Sequence, residues 1–160
     1  SYGNDVSVTT PSESYGIEGK WFSSGDNIAE FINLFAPMAG LPSIDSIFIE
    51  LKFDYTYQLE WFHQTELIRE EQGIFIQQES GYGNIWNITL EPESSSMIWQ
   101  GIFEVFTTDV PFTALIEMVP VGEGLPFQFT PPTAANGFGS SSGPGMPGEW
   151  FIQTYIKISD

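Results

Sequence analysis

The sequence predicts an all-β fold, an antiparallel up-and-down β-barrel with one short N-terminal helix, and three observations carry that prediction. From Ile47 to His63 the odd positions are almost all apolar, Ile47, Ile49, Leu51, Phe53, Tyr55, Tyr57, Leu59 and Trp61, and the even ones are mostly polar, Glu50, Lys52, Asp54, Thr56, Gln58 and Glu60. A period of two means strand with one apolar face. Further short alternating runs follow at near-regular spacing between Gly, Pro, Asn and Ser clusters, the pattern of barrels and sandwiches. Only one stretch has helical period. A β-sandwich is the alternative; closure into a barrel is favoured because it removes both sheet edges in a chain this rich in Ile and Phe.

Taken in order, residues 1–14 are polar and turn-rich and read as a flexible tether, and 15–160 as a single barrel domain. Gly19-Lys20-Trp21-Phe22 opens the first strand. Asp26 or Gly25 then caps a helix in which Ile28, Phe31, Ile32 and Phe35 follow the i, i+3, i+4, i+7 spacing, ending by Pro37 and Gly40. The Ile47–His63 alternation is about three times the usual strand length of roughly 5–6 residues, so it curls strongly or turns back near Asp54. Thr65 to Gly73 reads as a polar connection before a strand at Ile74–Gln78. Trp86, Ile88 and Leu90 alternate with polar residues, and Met97–Phe106 and Phe112–Val121 are the next strands. Residues 125–148, rich in Gly, Pro and Ser, form a long loop rather than a linker, because connections of that length inside a domain are usually functional. A last strand through Trp150, Ile152, Thr154, Ile156 and Ile158 closes the sheet.

A chain of 160 residues is long enough for one core without covalent staples. It has 21 acidic residues against Lys20, Lys52, Arg69 and Lys157, a net charge of −17, so nucleic acid is excluded as a partner, since that affinity rests on cations that displace counterions. Anionic membrane surfaces are disfavoured on the same ground, although a covalent lipid anchor upstream is not. The absence of cysteine removes disulfides, thiol nucleophiles and thiolate metal sites. The chain starts at Ser1 without Met, in the form left when an export signal is removed, though arbitrary cutting of a longer chain would leave the same start. The expected location is therefore outside the cytoplasm, in a periplasm or as a lipoprotein of the outer membrane or cell surface.

Several short motifs resemble the lipocalin-like, or calycin-like, domains of exported bacterial proteins. They are Gly19-Lys20-Trp21, Phe53-Asp54-Tyr55-Thr56-Tyr57, Gly101-Ile102-Phe103-Glu104-Val105, Pro132-Thr133, Gly137-Phe138-Gly139-Ser140 and Gln153-Thr154-Tyr155-Ile156. The Asp54 hairpin lacks the glycine usual in those domains. The resemblance implies a barrel whose first-strand Trp21 closes one end, a cavity for a small apolar molecule, no enzymatic activity, and frequent lipid anchoring.

No strong catalytic signature competes with that reading. His63 is the sole histidine, no nucleophile elbow is present, and it lies on the apolar parity near a barrel mouth. The carboxylates Glu70-Glu71, Glu91 and Glu93, Glu104 and Glu117 read as solvated outer-face residues. No catalytic residue, metal ligand or cofactor is expected. The expected function is binding of a small hydrophobic molecule, with Phe53, Tyr55, Tyr57, Leu59, Trp61, His63, Trp86 and Trp99 as the lining and the loop 137–148 as an adjustable lid. A carbohydrate-binding module or a cell-surface interaction protein is the alternative.

Overall fold

The long alternation is two strands. β2 (Ser46–Leu51) and β3 (Thr56–His63) pair antiparallel with Leu51 opposite Tyr57 and Ile47 opposite Trp61. The turn between them is closed by Asp54, whose Oδ1 accepts from the Thr56 amide at 3.0 Å and from Thr56 Oγ1 at 2.6 Å. These bonds hold the Asp54 carboxyl below its usual range. Tyr55 takes a left-handed φ of 68°, which a bulky residue adopts only at a constrained turn.

In the computed structural model, which describes residues 14–160, eight antiparallel strands close in sequence order. Besides β2 and β3 they are β1 (Gly19–Ser24), β4 (Glu66–Glu79), β5 (Trp86–Pro92), β6 (Ile98–Phe106), β7 (Thr113–Val121) and β8 (Ile152–Ser159). β8 pairs back onto β1, so no edge remains. The expected tether lies, apart from Ser14, outside the described residues; Ser14 donates to Glu79 at 2.8 Å.

The expected connection at 65–73 is instead strand. β4 runs 14 residues and is joined to β3 by the two-residue turn Gln64-Thr65, both with positive φ, as a hairpin of matching twist requires. A register shift after Trp61 absorbs the curl. Gly73 and Gly101 mark close strand approaches: a Cβ there would lie 2.0 Å from the Glu91 carbonyl oxygen and 1.8 Å from that of Glu117.

The helix is α1 (Glu30–Met38), inserted between β1 and β2. It turns Phe31, Ile32 and Ala36 inward over one end of the barrel; Ile28 is buried ahead of it and Phe35 meets the Trp61 ring edge-on. Neither Asp26 nor Gly25 caps it; residues 25–27 form a separate 3₁₀ turn and Ala29 is the N-cap. At the other end Trp21 is wholly buried and donates through Nε1 to the Ile17 carbonyl at 2.8 Å.

The long loop docks on the outer wall. Glu117, which faces outward on β7, is wholly buried because the loop wraps it: Gly139 N donates to Oε1 at 2.7 Å, Ser141 N to Oε2 at 2.9 Å, and Ser141 Oγ to Oε2. Ile102, opposite Glu117 in register, is buried with it. The same loop sends Phe129 to the α1 end, where its ring meets Phe31 at 5.6 Å and Phe151 at 5.9 Å. The expected lid at 137–148 is thus a clasp on the wall, and α1 is the element that covers the lumen. Glu117 is a buried anchor, not a solvated residue.

Candidate functional site: the lumen beneath α1

An eight-stranded barrel has an interior about wide enough for its own side chains to fill. Here Trp21, Tyr57, Trp61, Phe75 and Phe103 fill most of it. What remains is an apolar cavity of about 50 Å³ directly under α1. Ala29, Phe31 and Ile32 form its roof, with Ile47, Ile49, Leu59, Trp61, Leu90, Trp99, Ile116, Met118 and Phe151 as walls. Gln153 and Tyr155 supply its polar atoms.

Gln153 ties roof to wall. Its Oε1 accepts from the Ala29 amide at 2.8 Å, and its Nε2 donates to the Tyr155 hydroxyl at 3.3 Å. Burial raises the Tyr155 hydroxyl well above the usual phenol range, so it stays protonated. A second amide, Asn33, fixes the far side of α1 by bonding both the N–H and the C=O of Ile44, at 2.7 and 3.1 Å. The roof is therefore a single short helix on a few apolar residues and two side-chain latches.

Behind Trp61 and Trp99 lies a polar cluster. Glu71, buried on β4, accepts from Tyr57 Oη at 2.8 Å and Trp99 Nε1 at 3.2 Å on Oε2, and from Arg69 Nη2 at 2.9 Å on Oε1. Burial, then the Glu71 carboxylate beside it, pushes the Tyr57 hydroxyl far up, keeping it a donor. The Arg69 guanidinium lies 4.8 Å over the Trp61 ring. Its Nη1 is buried with no hydrogen-bond partner.

Of the residues expected to line the site, Leu59, Trp61 and Trp99 do so. Tyr57 faces inward but is engaged with Glu71. Phe53 and Tyr55 are corrections: they sit in the β2–β3 turn, 73% and 58% exposed, because parity carries through a turn while the inner face does not. Trp86 lies at the opposite end against Phe103, and His63 is at the rim, with Nδ1 2.8 Å from the Ser43 carbonyl oxygen; neither touches the cavity. Glu71, expected in solvent, lies in the lumen. Gln153, Arg69, Glu71 and the roof residues were missed; reading the β4 alternation backward from Phe75 through Gly73 to Glu71 and Arg69 would have found two of them.

Among the described residues no group of three His, Asp or Glu side chains could hold a metal ion, and no helix is long and apolar enough to cross a membrane. No protein-family model, characterised protein or solved structure matches this chain.

Proposed function

We propose that this barrel binds a small, largely apolar molecule in the lumen beneath α1, without catalysing a reaction. The observation that carries the reading is the cavity itself: it is apolar on nearly every side, it lies at the covered end of a closed barrel, and its roof is a helix held by Gln153 and Asn33. Its volume of about 50 Å³ suits a few atoms, whereas pockets for drug-sized ligands occupy about 300–1,000 Å³. The bound state therefore has α1 displaced outward, with Phe31 and Ile32 giving their space to the ligand, and apparent affinity is reduced by the small population of that open form. The lipocalin-like motifs agree with this reading, and export with a lipid anchor belongs to the same proposal.

Native mass spectrometry of the purified protein, beside its organic-solvent extract and a titration with a C12 fluorescent probe, tests it. A one-to-one complex supports it. An empty protein that takes up no probe refutes it. A second reading, a surface interaction module, draws on Phe53, Tyr55, Ile74 and Ile76, all exposed around the β2–β3 turn and the outer face of β4. It predicts a partner complex that is lost when Phe53 and Ile76 are changed to Ser, with the lumen empty.

A further inference from the structure

We infer that the lumen ligand is an amphiphile whose head group is a neutral hydrogen-bond acceptor, such as an ester or ketone oxygen, and that Arg69 receives it; this rests on the lumen reading above. Arg69 stands opposite Trp61 in the β3–β4 register, near the α1 end, with its side chain 28% exposed. Its guanidinium covers one ring that lines the cavity, and its partner Glu71 is bonded to the other, Trp99. Head-group and tail positions therefore share the Trp61 and Trp99 rings, with Leu59, Leu90, Ile116 and Met118 around the tail.

A guanidinium has five N–H donors, and here Nη2 is committed to Glu71 while Nη1 is buried and unpaired. Supplying an acceptor to such a donor is worth about tenfold in affinity.

Charge decides which acceptor. Glu71 and Arg69 already balance, and both Glu71 oxygens are occupied, Oε1 by Arg69 and Oε2 by Tyr57 and Trp99. A ligand carboxylate at Nη1 would share one cation with a second, buried carboxylate, and like charges held that close cannot both stay ionised without penalty. The chain's net charge of −17 adds to the repulsion. An ester or ketone oxygen takes the same hydrogen bond with no such penalty.

The test is competition at pH 7.5 on the full chain among three tail-matched probes: dodecane, methyl laurate and laurate, each displacing the fluorescent probe. Methyl laurate should bind about tenfold more tightly than either of the others. Arg69→Met should abolish the ester's advantage, so that methyl laurate and dodecane bind the variant equally, and Glu71→Gln should turn the preference toward laurate, with thermal unfolding establishing that each variant is folded. Laurate binding more tightly than the ester, or ester and alkane binding equally to the unaltered protein, overturns the inference even if neither variant folds. Failure of all three probes overturns the lumen reading itself.

Discussion

Changing Glu117 to glutamine removes the charge around which the long loop is wrapped. Three donors converge on that carboxylate, two from Ser141 and one from Gly139, and the carboxylate is wholly buried. Bonds to a buried charged acceptor contribute about 1.5–3 kcal/mol each. An amide keeps the Ser141 pair as weaker neutral bonds, but its NH₂ then faces the Gly139 N–H, donor against donor. Relief from burying an ion returns a few kcal/mol, which leaves a net loss of about 3 kcal/mol. At this chain length that corresponds to a Tm lowered by roughly 6–12 °C. Ser141→Ala, which keeps both amide donors, should lose about half as much. Because the same loop carries Phe129 to the Phe31–Phe151 cluster, Glu117→Gln should also speed probe entry under α1. Urea unfolding gives the stability and stopped-flow fluorescence the entry rate. A Glu117→Gln protein within 0.5 kcal/mol of the original, a figure typical of ordinary surface changes, would refute the clasp.

Three further outcomes follow from the same geometry. Tyr57 and Tyr155 ionise well above the usual phenol value of 10.0, so the stability they confer is complete below about pH 10 and is lost as the pH rises beyond it; Tyr155→Phe should flatten that decline by about 1.4 kcal/mol per pH unit in alkaline unfolding curves. Gly101→Ala would place a Cβ 1.8 Å from the Glu117 carbonyl oxygen and should destabilise by at least about 3 kcal/mol, whereas Gln100→Ala on the exposed outer face should stay within about 0.5 kcal/mol, both measured by thermal unfolding. Gln153→Leu frees the Ala29 amide and should cost about 1–2 kcal/mol while accelerating probe association, seen in paired unfolding and stopped-flow traces.

The sheet was legible because β2, β3 and β5 bury one parity and leave the other accessible, as period two requires, whereas β7 also buries Glu117 and Val119 on its outer face and β8 turns Gln153 and Tyr155 inward instead of its isoleucines. The first half of β4 was not, since Arg69 and Glu71 replace apolar residues on the inner face and Gln64-Thr65 lacks the Gly or Asn of a typical two-residue turn. The site was less legible than the fold. Parity placed Leu59, Trp61 and Trp99 on the inner face, where they line the cavity, but carried on through the turn to Phe53 and Tyr55, where there is no lumen to face. Glu71 and Glu117 share a type with the solvated acids around them; only the tertiary donors, Tyr57, Trp99 and Arg69 for one and the 139–141 backbone for the other, distinguish them. Gln153 carries no local sign that it reaches Ala29, 124 positions away in sequence.

Amide hydrogen exchange of the full chain, with and without saturating methyl laurate, bears most directly on the claim that ligand enters the lumen past α1. The account predicts altered exchange at Ile28–Met38 and added protection in β3, β6 and β8, the strands that carry Trp61, Trp99 and Gln153. Protection confined to the β2–β3 turn and the outer face of β4, with α1 and the lumen strands unchanged, would contradict it.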